Sequence, residues 1–247
     1  MSRSIFTIPQ ALTYHSSGSA STTAPATNLL NNEPGIVFRS TALSGVFVQF
    51  STSGQYDVIA LVGTNLTGAD TVRIRASNSE AGLLSSPAVD VVVSIAAGRI
   101  KKAGAILFHQ FANPVSYQFI RIDFASLNAS GYVEASRLVI GLSTGADGID
   151  TGAQITYDNT SKSYLNALRT QPTWKMVVSG ITEDAYWGVW DRVMMDLAEF
   201  RAFLFIPDSM GDHIQPQSMF CRFVSAPKTT ITSSDYYEIE MNCGTLI

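Results

Sequence analysis

Along the first half of the chain, apolar and polar positions mostly alternate with a period of two. Thr71-Val72-Arg73-Ile74-Arg75-Ala76 sets apolar side chains against charged ones at each step, as a half-exposed strand does. Val46-Phe47-Val48-Gln49-Phe50 and Val89-Asp90-Val91-Val92-Val93 are short β-branched or aromatic runs. Tyr56 to Gly63 is nearly continuous in apolar residues and is bounded by glycine. Ala105 to Phe108, Phe119 to Phe124 and Ala135 to Gly141 complete the series. Turn clusters such as Thr67-Gly68-Ala69-Asp70 and Asn128-Ala129-Ser130-Gly131 separate them. Several short strands punctuated in this way predict an antiparallel sandwich.

Two stretches lack this pattern. Thr13 to Asn32 is rich in Ser, Thr, Ala and Asn, and buries too little apolar surface to fold alone. Residues 1–32 are therefore expected to form an N-terminal arm, ahead of a sandwich over 33–143. Residues 144–171 are dense in Gly and Asp and are expected to be a linker. Asp147, Asp150 and Asp158 supply oxygen atoms there, but lack the ligand rhythm and terminal Glu of a calcium loop, so a solvated linker is the better reading.

The period changes in the last third. Trp174 to Ile181 reads as a strand, and Thr182-Glu183-Asp184 supplies helix-start chemistry with Asp184 as N-cap. Tyr186, Trp190, Val193, Leu197, Phe200 and Leu204 then recur at steps of four and three, one face of a helix over about 185–205. Trp187, Met194 and Phe203 widen the stripe, and Pro207 and Gly211 end it. Met219 to Val224 and Tyr236 to Met241 follow as strands. The fold class is mainly β: an N-terminal antiparallel sandwich, then a C-terminal β domain over 172–247 with one amphipathic α-helix.

Composition narrows the function classes. Of 247 residues, 46% are hydrophobic and only 15% charged, against a usual charged share of ~25%. Low charge fits a surface partly hidden by partners, or one that uses Ser, Thr and Asn instead. The net charge is -4, and Arg99-Ile100-Lys101-Lys102 is the densest basic spot. A nucleic-acid backbone needs a larger positive footprint, so no nucleic-acid partner is expected. The N-terminus lacks the apolar core of a secretory signal, and no apolar run reaches the ~20 residues of a bilayer span. Synthesis in a cytoplasm without membrane insertion is expected, which leaves the Asn-X-Ser/Thr matches at Asn65, Asn128 and Asn159 as chance. Cys221 and Cys243 lie outside any CxxC and are expected to be buried thiols.

The order of the first-half strands resembles the galactose-binding-like (discoidin-type) jelly roll. Val46 to Phe50, Tyr56 to Leu66 and Val72 to Asn78 are similar to three successive strands of that family. Phe119-Ile120-Arg121-Ile122-Asp123 and Gly131 to Leu138 are similar to its later and closing strands, so that the likeness spans about 28–143. The resemblance implies a jelly roll whose loops at one end bind glycans or lipid head groups. Asn65, Asn78 and Glu80 are the polar residues near strand ends, and turn chemistry is the stronger reading for them. Residues 172–244 resemble the C-terminal region of bacteriophage minor tail and distal-tail proteins, on Trp174 to Ile181, Phe203 to Asp208, Cys221 to Pro227 and Tyr236 to Met241. That resemblance implies a tail-type β-sandwich whose subunits form rings.

No catalytic motif accompanies these patterns. GxSxG, HExxH and GxxxxGK[ST] are absent, and His15, His109 and His213 lie far apart. Glu183 and Asp184 suit the positive end of a helix. No enzyme activity, cofactor or metal is expected. Trp187, off the main stripe, is the candidate subunit-interface residue, because Trp is enriched at interface hot spots. The expected function is a structural component of a bacteriophage virion: a tail or tail-tip subunit in a symmetric ring, contacting copies of itself and other tail or baseplate proteins. The alternatives are a glycan-binding adsorption module for host surface sugars and a capsid decoration or collar protein.

Overall fold

The computed structural model describes residues 4–33, 35–95, 99–100, 104–145, 154–162, 171–198, 201–233 and 235–246. The chain divides into two compact units. One comprises residues 9–143 and 212–216; the other comprises 1–8, 144–211 and 217–247.

The first unit is an antiparallel jelly-roll sandwich. Its five-stranded sheet runs, in spatial order, Thr13–Gly18, Val46–Ser51, Phe119–Ala125, Thr71–Ser77, Val89–Ser94. Its three-stranded sheet runs Arg137–Gly141, Tyr56–Thr64, Ala105–Val115. The period-two residues face inward: Val48, Phe50, Val72, Ile74, Ile120 and Ile122 meet Ile59, Leu61, Leu107, Leu138 and Ile140 in one core. Tyr56–Thr64 is buried along its whole length, which is why it reads as a continuous apolar run and not an alternating one. The edge strand Ala105–Val115 is closed by a side chain. Ile106 N–H donates to Gln215 Oε1 at 2.9 Å, and Gln215 Nε2 donates back to the Ile106 carbonyl at 2.5 Å. One amide thus copies the donor and acceptor of a neighbouring strand.

Thr13–Gly18 pairs with Val46–Ser51, and the 3₁₀ turn Ala26–Leu30 sinks Ala26 and Leu29 into the jelly-roll core. Arg137, itself buried, donates from Nη1 to the Leu29 carbonyl at 2.7 Å and ties that turn to the sheet. Burial of its guanidinium lowers its pKa to about 10. Residues 4–32 are therefore no separate arm; sparse apolar anchors suffice because a preformed sheet supplies their partners.

The second unit is built on an eight-stranded, mainly antiparallel sheet in the order Ser143–Gly145, Ile5–Thr7, Phe203–Ile206, Met219–Phe223, Tyr236–Thr245, Gln171–Thr182, Gln154–Lys162, with Lys228–Ser233 also pairing Tyr236–Thr245. Three expectations are corrected. Gln154–Lys162 is a strand of this sheet, so the expected linker over 144–171 contains structure; Asp158 lies on that strand, whereas Asp147 and Asp150 lie outside the described residues. The helix is shorter than 185–205: an α-turn Glu183–Ala185, a π-turn Tyr186–Trp190 and an α-helix Asp191–Ala198. Phe203 and Leu204 belong instead to a strand, paired with Ile5–Thr7 on one side and Met219–Phe223 on the other. Finally, Thr182 and not Asp184 is the N-cap: its side-chain oxygen accepts from Ala185 N–H at 3.3 Å. Trp190, Val193, Met194 and Leu197 pack with Trp174, Met176, Phe205 and Met241. Phe6 joins this core, stacked on Phe205 at 4.8 Å between ring centres.

Candidate functional site

Three groups of side chains stand out, and each lies within one unit. The first is at one end of the jelly roll, where the turns after Tyr56–Thr64 and Phe119–Ala125 meet the short pairing of Phe38–Arg39 with Glu134–Ala135. Arg39 donates from Nε and Nη2 to Glu134 Oε2, at 2.9 and 2.5 Å. Its guanidinium carbon also sits 4.5 Å from the Tyr132 ring centre, a cation–π contact. The hydrogen bond with Glu134, and then its charge, raise the Arg39 pKa.

This cluster is braced from beneath. Asn65 Nδ2 donates to the Tyr132 carbonyl at 2.8 Å, and Glu134 N–H donates to Asn65 Oδ1 at 2.8 Å. Asn128 Nδ2 adds a bond to the Tyr132 carbonyl at 3.0 Å. Asp70 then clasps the two turns together. Its Oδ2 accepts from Thr67 N–H and hydroxyl at 2.7 and 2.8 Å, and its Oδ1 accepts from Leu127 N–H at 2.8 Å. Burial works to raise the Asp70 pKa, but the bonds from Leu127, Thr67 and Ser126 outweigh it and hold the carboxyl below its ordinary range. Beside the cluster, Leu127 stands 86% exposed. The arrangement is an aromatic ring, a guanidinium, a carboxylate and an apolar tip, carried by two short paired strands and the hydrogen-bonded turns beside them.

The second group covers the outer face of the five-stranded sheet. Arg75 Nη2 and Arg121 Nε reach the two oxygens of Asp123 at 2.6 and 2.9 Å, and Arg121 lies 3.5 Å over the Phe47 ring. Arg73 pairs with Asp90. Glu80 Oε1 accepts from Gln49 Nε2 at 2.9 Å and lies 2.9 Å from His15 Nδ1, while His15 Nε2 shares a hydrogen bond with Ser51. Each cation here already faces an anion, so the group is a self-compensated ladder that fixes the sheet's solvent face.

The third group is on the second unit. Tyr186 stacks on Tyr237 at 4.3 Å, and Trp187 stands edge-on to both, at 5.0 and 6.5 Å. The π-turn puts Trp187 outside the buried stripe, 59% exposed, while Trp190 three residues later is buried. An extra residue in one turn rotates the side chains that follow it, and such turns recur at functional sites.

The residues singled out from the sequence do not share a site. Asn65 is a turn brace at one end of the sandwich. Asn78 accepts from Gln118 N–H at 3.3 Å at the opposite end, and Glu80 belongs to the sheet-face ladder. His15 is in that ladder, and His109 stands edge-on to Phe111 at 4.6 Å, in another part of the jelly roll. Cys221 and Cys243 are buried on neighbouring strands without a disulfide; Cys221 lies opposite Thr245 and Cys243 opposite Phe223. Among the described residues, no three His, Cys, Asp or Glu side chains gather as a metal-binding group, and no helix is long and apolar enough to cross a membrane. Sequence reasoning missed the Arg39–Tyr132–Glu134 cluster, whose members lie 95 positions apart at the extremes. The strand expected from Gly131 to Leu138 begins only at Glu134 in the structure, and nothing local marks Arg39 as its partner.

No protein family matches this chain, and no curated protein matches it either. Among solved structures, it is similar to a CBM32-1 module from a family 31 glycoside hydrolase of Clostridium perfringens, at 9% identity and a TM-score of 0.40, over 54% of this chain and 96% of that one. It is also similar to the CBM32 of AlyQ in complex with 4,5-unsaturated mannuronic acid, at 11% identity and a TM-score of 0.36, over 53% and 94%. Likenesses of this size carry no conclusion about what this chain binds. The class defined by its own sheets is an antiparallel jelly roll joined to a second, mainly antiparallel β unit.

Proposed function

We propose that the chain is a non-catalytic glycan-binding protein whose jelly roll presents the Arg39–Tyr132–Glu134 cluster to sugar hydroxyls. One observation carries this reading: Asn65 and Asn128 hold the backbone that bears the ring and the acceptor, and Glu134 in turn holds the Arg39 donor, so little order is lost on binding. Both Arg39 contacts fall on one oxygen of Glu134, which keeps the second oxygen as an acceptor for a hydroxyl. Leu127 supplies an apolar contact for the carbon face of a ring. The test is retention of the full chain on a panel of immobilised polysaccharides. Arg39→Ala and Tyr132→Ala are each expected to cut affinity by about tenfold or more, the effect of losing a charged hydrogen-bonding group, with unchanged circular dichroism. Retention equal to wild type for both variants sinks the proposal.

A second reading, a structural subunit of a bacteriophage particle assembling as a ring in the virion, is supported by the exposed Trp187 cluster and the exposed strand Lys228–Ser233 on the second unit. Closed rings of purified chain in electron micrographs are its expected outcome. Solutions with no species above a dimer count against it.

A further inference from the structure

Ser51, His15 and Glu80 stand in a line on the outer face of the five-stranded sheet. His15 Nε2 shares a hydrogen bond with Ser51 Oγ at 2.8 Å, and its Nδ1 lies 2.9 Å from Glu80 Oε1. Ser51 ends the strand Val46–Ser51, opposite Thr13 on one side and Phe119 on the other. Phe50 faces the core, so the alternation of the strand turns Ser51 outward. Glu80 follows the strand Thr71–Ser77, and Gln49 Nε2 donates to its Oε1 at 2.9 Å. His15 is placed by a bulge. Tyr14 lies opposite Phe50 and Ser16 opposite Gln49, which leaves His15 as the extra residue of its strand. Bulges re-aim side chains and are over-represented next to active sites. This one puts an imidazole between a hydroxyl and a carboxylate, with the Phe119 ring edge-on to it at 5.2 Å.

The carboxylate decides the tautomer. It has no proton to give, and two lone pairs at 2.9 Å repel, so the ring proton belongs on Nδ1. Nε2 then presents its lone pair, and the Ser51 hydroxyl donates to it. A serine, a base within hydrogen-bond reach and a third group that orients the base make up an activated nucleophile, recognised by geometry and role and not by position in the chain. The chain order His15, Ser51, Glu80 and the absence of GxSxG gave no sign of it.

We propose that Ser51, with His15 as its base and Glu80 as a positioning residue, takes up and hydrolyses short acyl esters, acetyl esters first among them. The His15 and Glu80 side chains are 30% and 54% exposed, on a sheet face that offers a long acyl chain no enclosure; an acetyl group needs none. Ser51 Oγ attacks the ester carbonyl carbon, and its proton passes to His15 Nε2. The bond from that carbon to the leaving oxygen breaks, and Nε2 returns the proton to that oxygen. Water then attacks the acetyl carbonyl on Ser51 and gives a proton to Nε2. The bond to Ser51 Oγ breaks, Ser51 takes the proton back, and acetic acid leaves. A positioned base contributes about 10²–10⁴ in rate, and the acceleration expected is of that order. The Arg39–Tyr132–Glu134 cluster takes no part, and the absence of catalysis proposed above refers to that cluster. The inference depends on neither functional reading.

The full chain is to be mixed with p-nitrophenyl acetate and, separately, with an alkyl fluorophosphonate, which phosphonylates activated serines with loss of fluoride. Nitrophenolate release above the buffer rate is expected, with acetyl and phosphonyl adducts mapping to Ser51 by mass spectrometry. Ser51→Ala should abolish those adducts and lower the release. His15→Gln should slow labelling of Ser51 by about a hundredfold, within the range a positioned base contributes, with unchanged circular dichroism. Ser17→Ala, a serine of the same strand whose hydroxyl bonds to Tyr14, should change nothing. Glu80→Gln should slow labelling by about tenfold or more, because its amide can donate to Nδ1 and hold the ring proton on Nε2. Nitrogen chemical shifts of the His15 ring should show the proton on Nδ1 in wild type and on Nε2 in that variant. Wild type without a Ser51 adduct, labelling that survives His15→Gln, release unchanged in Ser51→Ala, or a wild-type His15 ring protonated on Nε2 overturns the proposal.

Discussion

Asp70 provides the sharpest test of how the candidate glycan site is held. It is buried, and its two oxygens accept from Thr67 N–H, Thr67 hydroxyl and Leu127 N–H. Hydrogen bonds to a charged group contribute about 1.5–3 kcal/mol each, and a shared acceptor makes them less than additive. Asp70→Ala deletes the acceptor and strands two backbone donors, so a loss of about 3 kcal/mol is expected. Asp70→Asn keeps the shape and one acceptor oxygen, but turns an amide NH₂ toward a donor; about half that loss is expected. Hydrogen exchange reads the jelly-roll amides separately from the other unit. Protection at Leu127 and Thr67 should fall by roughly a hundredfold in Asp70→Ala. The pH dependence has a definite sign. The folded carboxyl titrates below the unfolded value of about 3.9, so its stabilisation is complete above that pH and is lost as pH falls through the folded value. Asp70→Asn should lack this acid-side component. A loss under about 0.5 kcal/mol for Asp70→Ala, the size of an ordinary surface change, refutes the clasp.

Three further outcomes follow from the same structure. Gly104 has φ +101°, and an added Cβ would come within 2.7 Å of the Gly63 carbonyl carbon and of the Thr64 oxygen; Gly104→Ala should cost about 2 kcal/mol or more by chemical denaturation. Trp190→Ala should cost about 3–5 kcal/mol because that indole is buried against Phe6, whereas Trp187→Ala, which loses edge contacts with Tyr186 and Tyr237 alone, should cost about 1 kcal/mol, read by urea unfolding of each variant. Burial lowers the His109 pKa, so stability should be full above the unfolded value of about 6.5 and decline as pH falls toward the folded one; the His109 ring protons should titrate below 6.5 by NMR, and His109→Gln should remove this slope.

The chain's own pattern was enough for much of the jelly roll. Val46–Ser51, Tyr56–Thr64, Thr71–Ser77 and Phe119–Ala125 were legible because a strand's alternation, or its full burial, is written in consecutive residues. The buried stripe Trp190, Val193 and Leu197 was legible for the same local reason at a helical period. What local pattern could not decide was partnership. Phe203–Ile206 is a four-residue apolar run that suits a helix end or a strand equally well, and it became a strand because Ile5–Thr7 and Met219–Phe223 offer it backbone partners on both sides. The same logic turned Thr13–Gly18 and Gln154–Lys162 from arm and linker into ladder. It also made the candidate site. Arg39, Asn65, Asp70, Tyr132 and Glu134 look like turn residues one by one, and only the sandwich brings their loops to one end. Periodicity is a property of neighbours in the chain, whereas a backbone hydrogen bond or an ion pair across a hundred positions is chosen by which surfaces can be buried together.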